Sequence, residues 1–126
     1  MIRRYIENDA LEMMELIESE GEEWSSYYKG DGKKKYLDSL KNSITFVKVK
    51  NEMIIGYVRA IDDHGFDIYI CDLLVFKKER GNHYGHELIE AVKNLFLDRD
   101  IYVMSDVDSY YIKEGYQKIG SIFEIK

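Results

Sequence analysis

The chain has 126 residues, of which 45% are hydrophobic and 33% charged, and its formal net charge is −6. That length gives one domain with its own core, residues 1–126, and is too short for two; the composition excludes a disordered chain. Nucleic acid is excluded as an expected partner because neutralising phosphates needs a basic face, whereas a cationic substrate suits the acidic balance slightly better.

The first residues, MIRRYIENDALEMM, contain no apolar core of a signal peptide. No run approaches the ~18 apolar residues of a membrane span. A cytoplasmic location is therefore expected. Cys71 is the only cysteine, which leaves no intrachain disulfide and no cysteine-rich metal site. His64, His83 and His86 lack zinc-site spacing, so no metal is expected.

In chain order, residues 1–7 read as a short strand ended by Asn8-Asp9. Asp9 followed by Glu12 predicts a capping box, and Leu11, Met14 and Ile17 recur at helical spacing up to Gly21. A turn-rich aromatic stretch, 22–32, leads to a second helix around 34–41. Thr45, Val47 and Val49 alternate with Phe46, Lys48 and Lys50 in a strand over 44–50. Asn51-Glu52 forms a tight connection to a nearly continuous apolar strand, 53–61, of the kind found inside a sheet. After the turn Asp62-Asp63-His64-Gly65 comes a strand over 66–76. A helix follows from 84 to 98 with Leu88, Ala91, Val92 and Leu95 on one face, then a strand at 101–104, a helix at 106–114 and a strand at 117–125. The order β-α-α-β-β-β-α-β-α-β predicts an α/β fold with a mixed, partly antiparallel sheet and helices on both faces. There is no proline and no linker to mark a boundary.

Leu73-Leu74-Val75, a short charged segment, and Arg80-Gly81-Asn82-His83-Tyr84-Gly85 precede that amphipathic helix. A strand feeding a glycine-bearing turn at a helix start makes an anion site, because the first helical N–H groups lack partners and the dipole is positive there. Glycine lets the backbone approach a phosphate, and Arg80 adds a bidentate cation.

Here the sequence resembles the GCN5-related N-acetyltransferases (GNAT). Their acetyl-CoA signature, Arg or Gln, two residues, Gly, one residue, then Gly or Ala, is matched by Arg80 and Gly85. His83 departs from it, standing at the middle glycine, where a Cβ would crowd a pyrophosphate. A second segment, Tyr111-Ile112-Lys113-Glu114-Gly115-Tyr116, is similar to the family's closing Tyr-x-x-x-Gly-Phe/Tyr. The resemblance covers the element order of nearly the whole chain.

That resemblance implies an acetyl-CoA-dependent N-acetyltransferase with a primary amine as acceptor. Tyr111 corresponds to the general acid, a phenol that stays protonated at neutral pH. The backbone of Leu73, Leu74 and Val75 would pair with the pantetheine arm like an added strand and polarise the thioester carbonyl. The base, or the water acting for it, would sit on the same strand, where simple alternation puts Tyr69 and Cys71 on the relevant face, Asp67 next, and Asp72 on the other. None of these is the glutamate the family uses. Trp24, Tyr27 and Tyr28 fall in the segment that lines the acceptor site, where aromatic faces attract an ammonium. Asp62, Asp63, Asp106 and Asp108 add acidic loop charge. A monomer or homodimer is expected. The alternative reading is a non-catalytic acyl-CoA-binding regulatory module, motivated by His83 and the absent acidic base.

Overall fold

The computed structural model describes residues 1–126. Its regular elements are β1 (Ile2–Arg4), α1 (Ala10–Glu18), α2 (Ser25–Tyr28), α3 (Gly30–Asn42), β2 (Ile44–Lys50), β3 (Met53–Asp62), β4 (Ile68–Val75), α4 (Tyr84–Leu95), β5 (Ile101–Val103) and α5 (Asp108–Lys113), with short 3₁₀ turns between some of them. The strands form one sheet in the order β1-β2-β3-β4-β5. The first four are antiparallel, and β5 joins parallel to β4 after the α4 crossover.

The β2–β3 hairpin turns at Asn51 and Glu52, whose φ values of 52° and 66° both lie in the left-handed region. Two such residues give the turn that matches the right-handed twist of its strands.

The sheet separates two cores. On one face α1 and α3 bring Met13, Ile17, Tyr36 and Leu40 onto Val47, Tyr57 and Leu74. On the other, Leu88, Ile89 and Val92 of α4 cover Val58, Ala60, Ile68 and Ile70. Each such aliphatic side chain contributes roughly 1.5–3 kcal/mol by leaving water. The α4 stripe differs from the predicted one. Ile89 is buried and Leu95 is 49% exposed, because the helix stops there and Phe96 packs onto the sheet instead. Leu11 likewise points outward, and Met13 takes its place in the α1 stripe.

The predicted Asp9–Glu12 capping box does not form, because both carboxylates are engaged elsewhere. The Asp9 carboxylate accepts the Ile6 N–H (2.9 Å) and two hydrogen bonds from Arg3 (2.8 and 2.9 Å). Glu12 instead accepts the Ile54 N–H and ties α1 to β3. Hydrogen bonding from Arg3 holds the Asp9 carboxyl below the usual carboxylate range. A folded-state value below the unfolded one gives stability that is complete above about pH 3.9 and is lost as pH falls through the folded value. Asp9→Asn should therefore lower the urea midpoint at neutral pH, and the two titration curves should converge in acid.

The strand predicted over 117–125 is not formed. Residues from Tyr116 onward carry no regular structure, and Ile119, Ile122, Phe123 and Ile125 are exposed. Ile119, Phe123 and Ile125 share the parity of one strand face, but the segment pairs with no strand of the sheet.

Candidate functional site

A bulge shapes the middle of β4. Arg59 of β3 pairs with Asp72 and Ala60 pairs with Ile70, which leaves Cys71 as an extra residue. Alternation is interrupted there. Ile68 and Ile70 face α4, whereas Leu74 belongs to the α1–α3 core. Tyr69 is exposed, lies 5.7 Å from Tyr102 ring to ring, and hydrogen-bonds Asp67. Burial pushes the Cys71 thiol up, which keeps it in the unreactive thiol form.

Beyond the bulge β4 has a free edge. β5 pairs with it only from Ile68 to Ile70, extended by a long contact from Met104 N–H to the Ile70 carbonyl. Phe76 donates its N–H to Ile55 of β3 at 2.7 Å. By antiparallel alternation Leu74 also turns its backbone groups toward β3, and Leu73 and Val75 turn theirs to the open edge. The Val75 carbonyl confirms that direction by accepting Arg80 Nε at 2.9 Å.

Arg80 also binds Glu20 at the end of α1 through Nη2 (2.7 Å). The second oxygen, Glu20 Oε2, is buried with no partner, although an unmade hydrogen bond there costs about 1–3 kcal/mol. An acyl-CoA fits this edge. Its pantetheine amides would match the free backbone groups of Leu73 and Val75, and an amide N–H is the donor that Glu20 Oε2 lacks.

The loop then rises to α4. Gly81 has φ 88° and His83 φ 63°, so both are left-handed. His83 caps α4 and its carbonyl accepts the Glu87 N–H. A side chain in that region costs about 1–2 kcal/mol that glycine avoids, so the departure from the glycine signature is strained as well as bulky. His83→Gly is expected to raise stability by about 1 kcal/mol and to leave CoA affinity equal or better. Calorimetric titration checks the second part; a large loss would make the imidazole a phosphate ligand. Asn82 anchors the loop by donating to the Glu79 carbonyl (3.0 Å). The Tyr84 ring lies under Lys48 (4.6 Å) and Lys50 (5.8 Å).

The α5 helix packs beside the start of α4. A Cβ on Gly85 would overlap the Tyr110 hydroxyl, so glycine is what lets the two helices approach. Tyr116 hydrogen-bonds His86 (3.1 Å), and Glu114 stands beside both His83 and His86. Tyr111 packs on the α4-side core. Burial pushes its phenol up to about 12, so it is fully protonated at neutral pH.

On the opposite face lies a buried polar group that alternation alone does not reveal. Tyr36 donates to Asp72 Oδ2 (2.6 Å), Arg59 Nε donates to the same oxygen (2.7 Å), and the Tyr36 and Tyr57 hydroxyls lie 2.7 Å apart. Tyr27 stacks on Tyr36 with centroids 4.3 Å apart, and Trp24 meets Tyr27 edge-on. Tyr28 is turned away, donating to the Gly21 carbonyl. The readable signal was a lone charge inside each of two apolar strands, Arg59 in MIIGYVRAI and Asp72 in ICDLLV. Buried charges of opposite sign on successive strands need each other.

The sheet thus parts between the parallel strands β4 and β5, beside the glycine-bearing start of α4. The model of the acetyltransferase (GNAT) family matches residues 9–120, and the chain belongs to that family. It is 33% identical over 73 residues to GCN5-related N-acetyltransferase 2, chloroplastic, of Arabidopsis thaliana, a match covering 58% of this chain and 28% of that protein. The chain thus spans well under half of that relative. Among solved structures, an aminoglycoside acetyltransferase from an uncultured soil metagenomic sample superposes with a TM-score of 0.74 at 22% identity, covering 100% of this chain and 97% of that one. The PaiA N-acetyltransferase of Thermoplasma acidophilum, in complex with coenzyme A, superposes with a TM-score of 0.77 at 13% identity, covering 93% and 89%. No helix is long and apolar enough to cross a membrane.

Proposed function

We propose that the chain transfers the acetyl group of acetyl-CoA to a primary amine within a ternary complex. The observation that carries this reading is the open edge of β4 at Leu73 and Val75, leading to the N-terminus of α4 with Tyr111 alongside. Residues Arg80–Gly85 hold the pyrophosphate through helix N–H groups, and Arg80 exchanges its partners Glu20 and Val75 for phosphate oxygen. The edge backbone of Leu73, Leu74 and Val75 aligns the pantetheine arm, and one N–H polarises the thioester carbonyl as negative charge develops on it. Tyr111 gives its proton to the departing thiolate. Trp24 and Tyr27 wall the acceptor side.

Holding both reactants in line supplies much of the rate, since effective molarities of oriented partners are large. The test is native mass spectrometry of the protein purified from its own cell, followed by calorimetric titration with acetyl-CoA. Retained or tightly bound acetyl-CoA is expected, and failure to bind it overturns the reading. The second reading, a non-catalytic acyl-CoA-binding module, is favoured by His83 in its strained position. It predicts the same binding with no turnover on any amine.

A further inference from the structure

We propose that the uncovered end of the sheet face docks a basic, extended segment of a protein, and that this segment carries the acceptor amine; the second half rests on the acetyl-transfer reading above. The docking surface is a row across three strands. Tyr69 of β4 pairs in register with Ile61 of β3 and with Tyr102 of β5. Ile61 is 45% exposed, Tyr69 is 41% exposed, and Tyr102 is half-buried. Their neighbours Ala60, Ile68, Ile70, Ile101 and Val103 pack the other way, toward α4. By alternation the row therefore lies on the face that α1 and α3 cover further along. That cover reaches Tyr36, Tyr57 and Leu74 and leaves the row open.

The rim of the row is negative and unpaired. The Tyr69 hydroxyl donates to Asp67 Oδ2 at 3.4 Å, and the Tyr69 and Tyr102 rings lie 5.7 Å apart. The Asp63 N–H donates to the Asp67 carbonyl (2.9 Å), and the Ile68 N–H donates to the Asp100 carbonyl (3.0 Å). These bonds gather Asp63, Asp67 and Asp100 at one end of the strands. None of the three makes an ion pair, because Arg99 is held by Asp62 and the Phe96 ring, and Arg59 by Asp72. Their charge reaches both rings: Asp100 chiefly pushes the Tyr102 phenol up, and burial followed by Asp67 does so for Tyr69.

Distance and breadth select the occupant. From Tyr69 to the open edge at Leu73 is a stretch of strand of about 13 Å, at ~3.3 Å per residue. An amine reacting at that edge cannot also be the cation held at Asp67 and Asp100, so the row takes a second positive charge. Phenol faces beside carboxylates suit the head of an arginine or lysine side chain. The row is also about 10 Å wide across its three strands, with Ile61 as an apolar contact. That is broader than a single linear amine fills, and it matches an extended chain with side chains of its own. Such a chain spans the distance in about four residues. Its basic residue therefore lies three or four positions from the amine that is acetylated.

The test uses the full chain and a fluorescein-labelled decapeptide of alternating arginine and serine, capped so that it offers no acceptor amine. The arginine peptide should bind about 10-fold more tightly than its neutral citrulline counterpart. Asp67→Asn with Asp100→Asn should remove that difference. Glu15→Gln with Glu52→Gln, which removes the same charge from a groove at the other end of β3, should leave it unchanged. Equal losses in the two double variants mean general attraction to an acidic protein and overturn the surface. Spermidine that displaces the peptide as well as unlabelled peptide does overturns the protein segment as occupant. With acetyl-CoA present, a capped peptide with a single lysine should gain about 10-fold in kcat/KM when arginine replaces glutamine three or four residues away. No arginine preference, or acetylation of small amines alone, overturns the acceptor half. A wild-type protein that binds the peptide but not acetyl-CoA overturns the transferase reading and leaves the docking surface standing.

Discussion

Replacing Arg59 with alanine is expected to lower folding stability by about 3–5 kcal/mol, the cost of leaving a buried carboxylate without its partner. Asp72 is almost closed to solvent and Arg59 supplies one of its two hydrogen bonds. The guanidinium also packs over the Tyr36 ring at 5.4 Å and reaches Ser43 at 3.2 Å. Alanine removes all three interactions and opens a gap beneath α3. For a chain of this size the melting temperature should fall by roughly 10–20 °C, which thermal unfolding followed by circular dichroism measures directly. The double variant Arg59→Met with Asp72→Leu should recover most of that loss, because an apolar pair of similar volume avoids the desolvation of both charges. A loss below about 1 kcal/mol in the single variant would place the pair in the solvent-screened class of surface bridges.

Replacing Tyr111 with phenylalanine should lower kcat by 10-fold or more and leave the KM for acetyl-CoA nearly unchanged. The hydroxyl acts only when charge develops on sulfur, so its removal costs transition-state stabilisation and no ground-state binding. The ring remains to pack against the α4-side core, which keeps the fold intact. The phenol is held up near 12 chiefly by burial. It therefore stays loaded with its proton through the neutral range, and the loss should be the same from pH 6 to 9. An unchanged kcat would remove Tyr111 from the mechanism and turn attention to Tyr110, whose hydroxyl lies over Gly85.

Much of the fold was legible because its elements obey simple periods. The β2 strand occupies Ile44–Lys50 as its alternation predicts, and α4 starts at Tyr84 where the glycine-bearing loop ends. The cofactor loop could be read from Arg80 and Gly85 because glycine, charge and a helix start have local consequences. The bulge at Cys71 could not be read. It depends on how β4 registers against β3, and no local pattern of residues records that pairing. Its consequence is the largest gap in the sequence reading, since one extra residue breaks the alternation that made Tyr69 and Cys71 the face to watch and Asp72 the face to ignore. The partner of Arg80 was hidden for a similar reason. Glu20 lies far away in the chain and meets Arg80 only when α1 packs on the sheet. The final strand failed on different grounds. Ile119, Phe123 and Ile125 alternate as a strand's residues would, but a strand also needs a partner edge, and this segment pairs with none.

Amine-dependent release of the coenzyme A thiol, measured together with the acetylated product across a panel of primary amines, tests the central claim most directly. At least one amine should release thiol and form amide in equal amounts, with background hydrolysis far slower. Tight acetyl-CoA binding with no thiol release on any amine would contradict the account and leave a binding module in its place.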